Sequence, residues 1–447
     1  MIFSRILGAA RNPAQLVLAA FVALIAFGTV LLRLPVSIDD GLDHPGWHDS
    51  LFWATSASTV TGLGTTDVST FSLFGELVLL ALIQIGGFGI MTIGSVLAIV
   101  ASRRVGLRQR MLAQAEIGAI DMGELRYLIA AIAKITIVVE GAIALILFGH
   151  LATVDDLGIG RAAYSSVFHG ISAFNNAGIA LSSDSLTRFA DDPFVVFPIT
   201  AAFVIGGLGF PILVELRRRV PARQWSLHTR ITLTATLALL VIGPAVVLVA
   251  EWTNPDTLGL LSVWDKLQAA WFQGVTPRTA GFNTIDIGAQ REPTLNFMTA
   301  LMFIGAGPAS TSGGIKVTTF AVLGNAMWSE VRGHQDVHAF NRRLPGAAIR
   351  QAMTVALLAV GIVFVTAITL TAISPFHLTD TLFEAASAFG TVGLSTGITG
   401  ALPRAGQFLL IVVMLIGRIG SVTFVAALAI RPSVRVYRFA EERPIIG

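Results

Sequence analysis

The chain has 447 residues, of which 54% are hydrophobic and only 13% charged, and its mean hydropathy is +0.75. A soluble domain carries about 25% charged residues; this chain cannot hide its apolar side chains and still present a wettable surface, so it reads as a polytopic membrane protein. It contains no cysteine, which excludes disulfide frameworks, thiolate metal sites and cysteine nucleophiles. The pI near 9.7 would suit a nucleic-acid partner in a soluble protein. In a membrane protein, basic residues instead mark cytoplasmic loops, and no nucleic acid is expected.

Long apolar runs fall near 14–35, 71–101, 126–151, 193–216, 229–251, 294–327, 347–373 and 406–430. Each reaches the ~20 residues that a helix needs to cross a bilayer. The first follows Arg5 and Arg11 and resembles a signal peptide, but it is too long and lacks a clear cleavage site, so it reads as a retained span. Within each successive pair of spans lies a shorter, less apolar stretch: 48–66, 163–182, 266–285 and 379–397. These are too short to span and end in a glycine-containing turn, so they read as re-entrant loops. The expected fold is therefore an all-α integral membrane protein. Its eight transmembrane helices form four span–pore loop–span repeats with pseudo-four-fold symmetry around one pore. The expected units are 1–104, 105–220, 221–340 and 341–447, the last including a C-terminal tail.

Charge sets the orientation. Arginines cluster between units at Arg103, Arg104, Arg108 and Arg110, at Arg217, Arg218, Arg219, Arg223 and Arg230, and at Arg332, Arg342, Arg343 and Arg350. The tail carries Arg431, Arg435, Arg438 and Arg443. The opposite side holds Asp39, Asp40, Asp43, Asp67, Asp155, Asp156, Asp191, Asp192, Asp256, Asp286 and Asp380. By the positive-inside rule both termini are cytoplasmic, and the loops enter from an acidic outer mouth that concentrates cations.

The strongest signal is internal repetition. The re-entrant stretches align on Gly62, Gly178, Gly281 and Gly393, which lie 116, 103 and 112 residues apart. Ten positions before each glycine stands an aromatic residue: Phe52, Phe168, Trp271 and Phe383. The local strings are Thr59-Val60-Thr61-Gly62, Asn175-Asn176-Ala177-Gly178, Arg278-Thr279-Ala280-Gly281 and Gly390-Thr391-Val392-Gly393. Extended backbone at membrane depth is tolerated only where it lines a wet cavity or is buried in protein. Four such loops around one axis would present rings of carbonyl oxygens, which replace the hydration shell of a monovalent cation. Glycine permits the positive φ that turns successive carbonyls inward, and the C-terminal end of each half-helix adds partial negative charge. Arg278 would defeat a cation filter if it faced the axis. It is expected to point behind the loop, with Glu384 as a candidate partner.

The phrases Ser172-Ala173-Phe174-Asn175-Asn176-Ala177-Gly178, Arg278-Thr279-Ala280-Gly281-Phe282-Asn283 and Ser387-Ala388-Phe389-Gly390-Thr391-Val392-Gly393-Leu394 resemble the selectivity-filter loops of the Trk/Ktr/HKT superfamily of potassium transporters. The resemblance covers essentially the whole chain. It is closest to the Ktr-type membrane subunit, because the first span begins near residue 14. It implies potassium binding at the sixteen residues of the four strings. Glycine at all four filter positions goes with potassium selectivity in that family, and serine in the first loop with sodium permeation. A sodium-permeable transporter of the same fold is the alternative.

Residues 305–314 interrupt the sixth span with Gly305, Gly307, Pro308, Gly313 and Gly314, followed by Ile315 and Lys316. Glycine and proline there break a helix. The resemblance makes 305–316 a gating loop, although Ala306 and Ala309 stand where glycine is expected. Arg418 falls roughly 18 Å along the last span at 1.5 Å per residue, where a charge costs at least ~2.5 kcal/mol unless it faces water or a partner. The family reading makes it part of the gate, and a buried pair with Glu140 is the competing reading. The eight histidines are scattered and no H-E-x-x-H occurs, so no enzyme is expected. No resident cofactor is expected, since potassium is cargo, and a role for sodium as activator stays open. The resemblance further implies a bacterial inner-membrane homodimer, regulated by a cytosolic ring of nucleotide-binding subunits.

Overall fold

The computed structural model describes residues 13–39, 41–42, 45–103, 122–154, 158–219 and 221–420. Arg5, Arg11, Arg104, Arg108, Arg110, Asp40, Asp43, Asp155, Asp156, the tail arginines and the end of the eighth expected span lie outside these residues.

Helices dominate, in the order α1 (Pro13–Leu32), α2 (Trp47–Thr59), α3 (Leu73–Arg103), α4 (Met122–Val154), α5 (Gly158–Phe174), α6 (Pro193–Leu208) and α7 (Phe210–Arg217). They continue as α8 (Leu227–Glu251), α9 (Val263–Val275), α10 (Glu292–Phe303), α11 (Val317–Val331), α12 (Gly346–Ile373), α13 (Leu378–Gly390) and α14 (Arg404–Ile419). A two-stranded hairpin, β1 (His338–Ala339) and β2 (Arg342–Arg343), joins α11 to α12.

Among the described residues, five helices (α1, α3, α4, α8 and α12) are long and apolar enough to cross a membrane, and α6 with α7 makes a sixth if the bent pair is one span. Two of the eight expected spans are not single long helices, and a third is described only in part. The fourth is bent by 99° at Gly209, where a left-handed φ of 94° and the following Pro211 end the helical ladder. The sixth is split into α10 and α11, and the described part of the eighth is the 16-residue α14.

The lateral faces fit a bilayer. Phe27, Ile137, Leu145, Val249 and Leu357 are all exposed, an arrangement that water would penalise. Exposed tryptophans mark both ends of the helices, with Trp47, Trp252 and Trp264 beside the re-entrant openings and Trp328 at the far end of α11, as membrane interfaces favour. Inside, hydroxyls satisfy themselves on the preceding turn: Thr29 donates to the Ile25 carbonyl at 2.8 Å and Thr366 to the Ile362 carbonyl at 2.7 Å. The apolar core is built around the short helices α2, α5, α9 and α13. Phe52, Phe168, Phe272 and Phe383 are each fully buried there.

That list corrects the aromatic anchor of the third unit. Trp271 is only partly buried, and its neighbour Phe272 occupies the position of Phe52, Phe168 and Phe383. The third unit has one residue fewer between its anchor and its glycine, so ten-residue counting lands one position off.

A second buried cluster closes the end of the third unit where α8 meets α10. Glu251, fully buried at the end of α8, accepts from the Asn254 amide at 2.6 Å, the Thr257 hydroxyl at 2.7 Å, the Arg291 backbone N–H at 3.0 Å and the Thr294 hydroxyl. Removing that acceptor strands several buried donors at about 1–3 kcal/mol each. Glu251→Ala should therefore lower stability by on the order of 2 kcal/mol or more, seen as a reduced thermal midpoint in detergent.

Candidate functional site

The four short helices deliver four non-helical segments to one place. In each, the residue two before the glycine is left-handed: Val60 (φ 56°), Asn176 (60°), Thr279 (69°) and Thr391 (50°). The glycines are left-handed as well: Gly62 (97°), Gly178 (63°), Gly281 (79°) and Gly393 (96°). Positive φ at both positions takes each segment out of the helix that delivers it, and glycine adopts it without steric cost.

The segments meet in a closed circuit. A Cβ added at Gly62 would strike the Ala177 carbonyl oxygen; at Gly178, the Ala280 oxygen at 2.8 Å; at Gly281, the Val392 oxygen; and at Gly393, the Thr61 oxygen. Each glycine thus faces the carbonyl preceding the glycine of the next unit, and the fourth returns to the first. Positive φ and this close approach leave no room for a side chain at any of the four. All four glycines line one cavity of about 230 Å³, together with Trp53, Thr66, Ser182, Ser185, Asn283 and one carboxylate, Asp67.

A hydroxyl residue holds each segment from behind. Backbone N–H groups of Thr61, Ala177 and Val392 each donate at 2.8 Å to the carbonyl five residues back, on Ser56, Ser172 and Ser387; that of Ala280 donates at 3.0 Å to Thr276, four back. The same four residues use their side chains. Ser56 Oγ accepts from Gly62 N (3.0 Å), Ser387 Oγ from Gly393 N (3.1 Å) and Ser172 Oγ from Ile179 N (3.2 Å), while Thr276 Oγ1 donates to the Phe282 carbonyl (2.5 Å). All of these bonds except that of the Thr276 hydroxyl consume N–H groups. Among the described residues, no hydrogen bond uses the carbonyls of Thr61, Ala177, Ala280 or Val392. Sequence reasoning overlooked this quartet, although a serine stands six positions before the glycine in three units.

The side chains of the four strings are placed unequally. Thr59 and Thr61 hydroxyls lie 2.8 Å apart. Arg278 is buried and its Nη2 reaches the Thr236 hydroxyl on α8 at 3.4 Å. The expected Arg278–Glu384 pair is not formed: Glu384 accepts from the Ser395 hydroxyl at 3.3 Å and from the Thr399 hydroxyl. Asn175 turns its amide to Glu140 on α4 and Gln84 on α3.

Between α10 and α11, residues 304–316 leave the helix and return. Gly305 N donates to the Ile315 carbonyl (2.8 Å) and Val317 N to the Ala306 carbonyl (3.0 Å), closing a neck. The excursion packs into the bend of the fourth span, where Gly307 N donates to Gly207 O (2.8 Å) and Phe210 N to Ala309 O (3.1 Å). Its tip lies under the glycine circuit: Gly313 abuts the Thr391 side chain, Gly314 abuts Gly390, and the Thr311 hydroxyl is 2.8 Å from the Asn176 side-chain amide. Two cations grip three successive carbonyls of this tip. Arg418 donates to Thr311 O and, at 3.0 Å, to Gly86 O on α3; Lys316 Nζ donates to Ser312 O (2.5 Å) and Gly313 O (3.2 Å). Arg418 does not pair with Glu140. Ala309, where glycine is expected, is left-handed with φ 55°, at a cost of roughly 1–2 kcal/mol.

Because the native chain lacks cysteine, Ser312→Cys offers a single label inside this buried tip. Arg418→Leu should speed its reaction with a membrane-impermeant thiol reagent by about tenfold, the shift expected when about 1.4 kcal/mol of hydrogen bonding is lost. An unchanged rate would show that Arg418 does not hold the tip.

A family model described as a TrkH cation transport protein matches residues 5–438. The Ktr system potassium uptake protein B of Bacillus subtilis is 42% identical over 421 residues, covering 94% of this chain and 93% of the relative. The potassium/sodium uptake protein NtpJ of Enterococcus hirae is 32% identical over 445 residues, covering 98% and 97%. Among solved structures, the potassium transporter TrkH of Vibrio parahaemolyticus superposes with a TM-score of 0.73 at 19% identity, covering 92% of this chain and 85% of that one.

Proposed function

Because the chain belongs to the TrkH family of cation transport proteins, which are transporters and not enzymes, we propose that it takes up potassium through a filter made by its four glycine loops. The observation that carries this reading is the closed circuit from Gly62 to Ala177, Gly178 to Ala280, Gly281 to Val392 and Gly393 to Thr61. It supports four span–loop–span repeats with pseudo-four-fold symmetry, eight spans in all, around a single axis. The carbonyls at and before the glycines replace water around the ion, and the carboxyl ends of α2, α5, α9 and α13 add negative potential. The cavity above, with Asp67 at its wall, is the entry.

Residues 305–316 serve as the gate. Their tip sits beneath the filter with Arg418 and Lys316 attached, so both a peptide segment and two positive charges oppose a cation leaving inward. Opening requires the tip to release Arg418 and swing aside. Gly305, Gly307, Gly313 and Gly314 supply the backbone freedom.

The chain is read as a multi-pass protein of a bacterial inner membrane with cytoplasmic termini. It would act as a homodimer with a cytosolic nucleotide-binding ring as regulator; the relative's designation as part of a Ktr system supports association with other components. The named potassium/sodium relative keeps sodium permeation as the second reading, with sodium as an activator also open.

In proteoliposomes the wild type should conduct potassium in preference to sodium. Gly62→Ser places a Cβ at a left-handed residue facing a filter carbonyl, and should reduce that preference by about tenfold, in line with the roughly 1–2 kcal/mol of strain. An unchanged preference would argue against the filter, and wild-type preference for sodium would establish the second reading. Arg418→Gln and deletion within 305–314 should each raise potassium flux several-fold. No increase in either removes the gate.

A further inference from the structure

Glu140 lies midway along α4, inside a candidate span, and is buried with no basic partner among its hydrogen bonds. A carboxyl group at that depth is costly and persists where something uses it. Its Oε1 accepts from Asn175 Nδ2 at 3.0 Å and its Oε2 from Gln84 Nε2 at 3.4 Å. Gln84 Oε1 in turn accepts from Asn175 Nδ2 at 2.8 Å, and the Ile171 carbonyl accepts from the same nitrogen at 3.0 Å. The seat is shaped as well as polar. Gly87, one turn beyond Gln84 on α3, leaves the space for the Asn175 amide; a Cβ there would lie 2.8 Å from the amide carbon.

Asn175 is three residues before Gly178 and directly precedes the left-handed Asn176. Its counterparts are braced otherwise: Thr59 donates to the Thr55 carbonyl of its own helix, Arg278 reaches Thr236, and Gly390 has no side chain. Of the four residues three before the glycines, only Asn175 hydrogen-bonds a carboxyl group among the described residues. From this geometry we propose that Glu140 is a positioning residue for ion selectivity, fixing the second filter loop through Asn175, with Gln84 as the third member. Asn175 therefore contributes backbone to the filter while its side chain serves as the tether. The proposal rests on the four-loop filter reading.

The test is the potassium-over-sodium preference of the full-length protein in proteoliposomes, a ratio that does not depend on how much protein folds. Glu140→Gln keeps an acceptor oxygen and should stay near wild type. Glu140→Leu leaves the Asn175 tether incomplete and should lower the preference by about tenfold. Asn175→Asp sets carboxyl against carboxyl and should do the same. Combining Asn175→Asp with Glu140→Gln restores a donor facing an acceptor in reversed order and should recover most of the loss. Wild-type preference in Glu140→Leu or Asn175→Asp, or no recovery in the double variant, overturns the proposal. Should Glu140→Leu fail to fold, the reversed pair decides alone. A Gly62→Ser variant measured alongside separates the two levels: if it too is unchanged, the filter reading fails, whereas an altered Gly62→Ser beside unaltered Glu140 and Asn175 variants removes only the tether.

Discussion

The controlling constraint is a set of peptide carbonyls, those of Thr61, Ala177, Ala280 and Val392, that receive no hydrogen bond among the described residues. Such groups cost several kcal/mol each in hydrocarbon, so the fold must surround them with protein and give them another partner. It does the first with four short helices whose aromatic anchors, Phe52, Phe168, Phe272 and Phe383, are fully buried. It does the second, on the reading proposed above, by lending the carbonyls to a desolvated ion. The N–H groups of Thr61, Ala177, Ala280 and Val392 are taken up by Ser56, Ser172, Thr276 and Ser387, so at the residue before each glycine the donor is satisfied and the carbonyl is not.

The same economy governs the positive charges. Arg418 and Lys316 are held by carbonyls of the 304–316 excursion and of α3, and Arg278 by a hydroxyl. Neutral acceptors leave the field of a guanidinium uncancelled, whereas a carboxylate partner would offset it. On the proposed reading, these two basic groups beneath the filter carbonyls form an electrostatic step along the axis. Ala309, in a left-handed conformation disfavoured for alanine, keeps strain in the segment that Arg418 and Lys316 hold.

How much of this was legible in the sequence follows from what each feature needs. The glycine quartet could be read because its requirement is local: positive φ and no side chain leave one residue type, recurring at a regular spacing. The break at 305–314 was legible for the same reason. Gly209 and Pro211 were equally visible but sat inside a hydrophobic run that hydropathy reads as continuous. The hydroxyl quartet was hidden because serine and threonine are ordinary in membrane helices. In the third unit, a one-residue shortening moved both Thr276 and Phe272 out of the register that marked Trp271. Partners across units were beyond reach. Neither the Thr236 acceptor of Arg278, nor the Ser395 and Thr399 hydroxyls on Glu384, nor the Gln84–Asn175–Glu140 cluster has any spacing in the chain that announces it.

The most direct measurement is the position of a heavy potassium analogue, rubidium or thallium, by anomalous diffraction from crystals of the protein. The expected result is a row of peaks on the axis, equidistant from the carbonyl oxygens of Thr61, Ala177, Ala280 and Val392. Peaks confined to the acidic surface, or an axis without bound cation at saturating concentration, would contradict it.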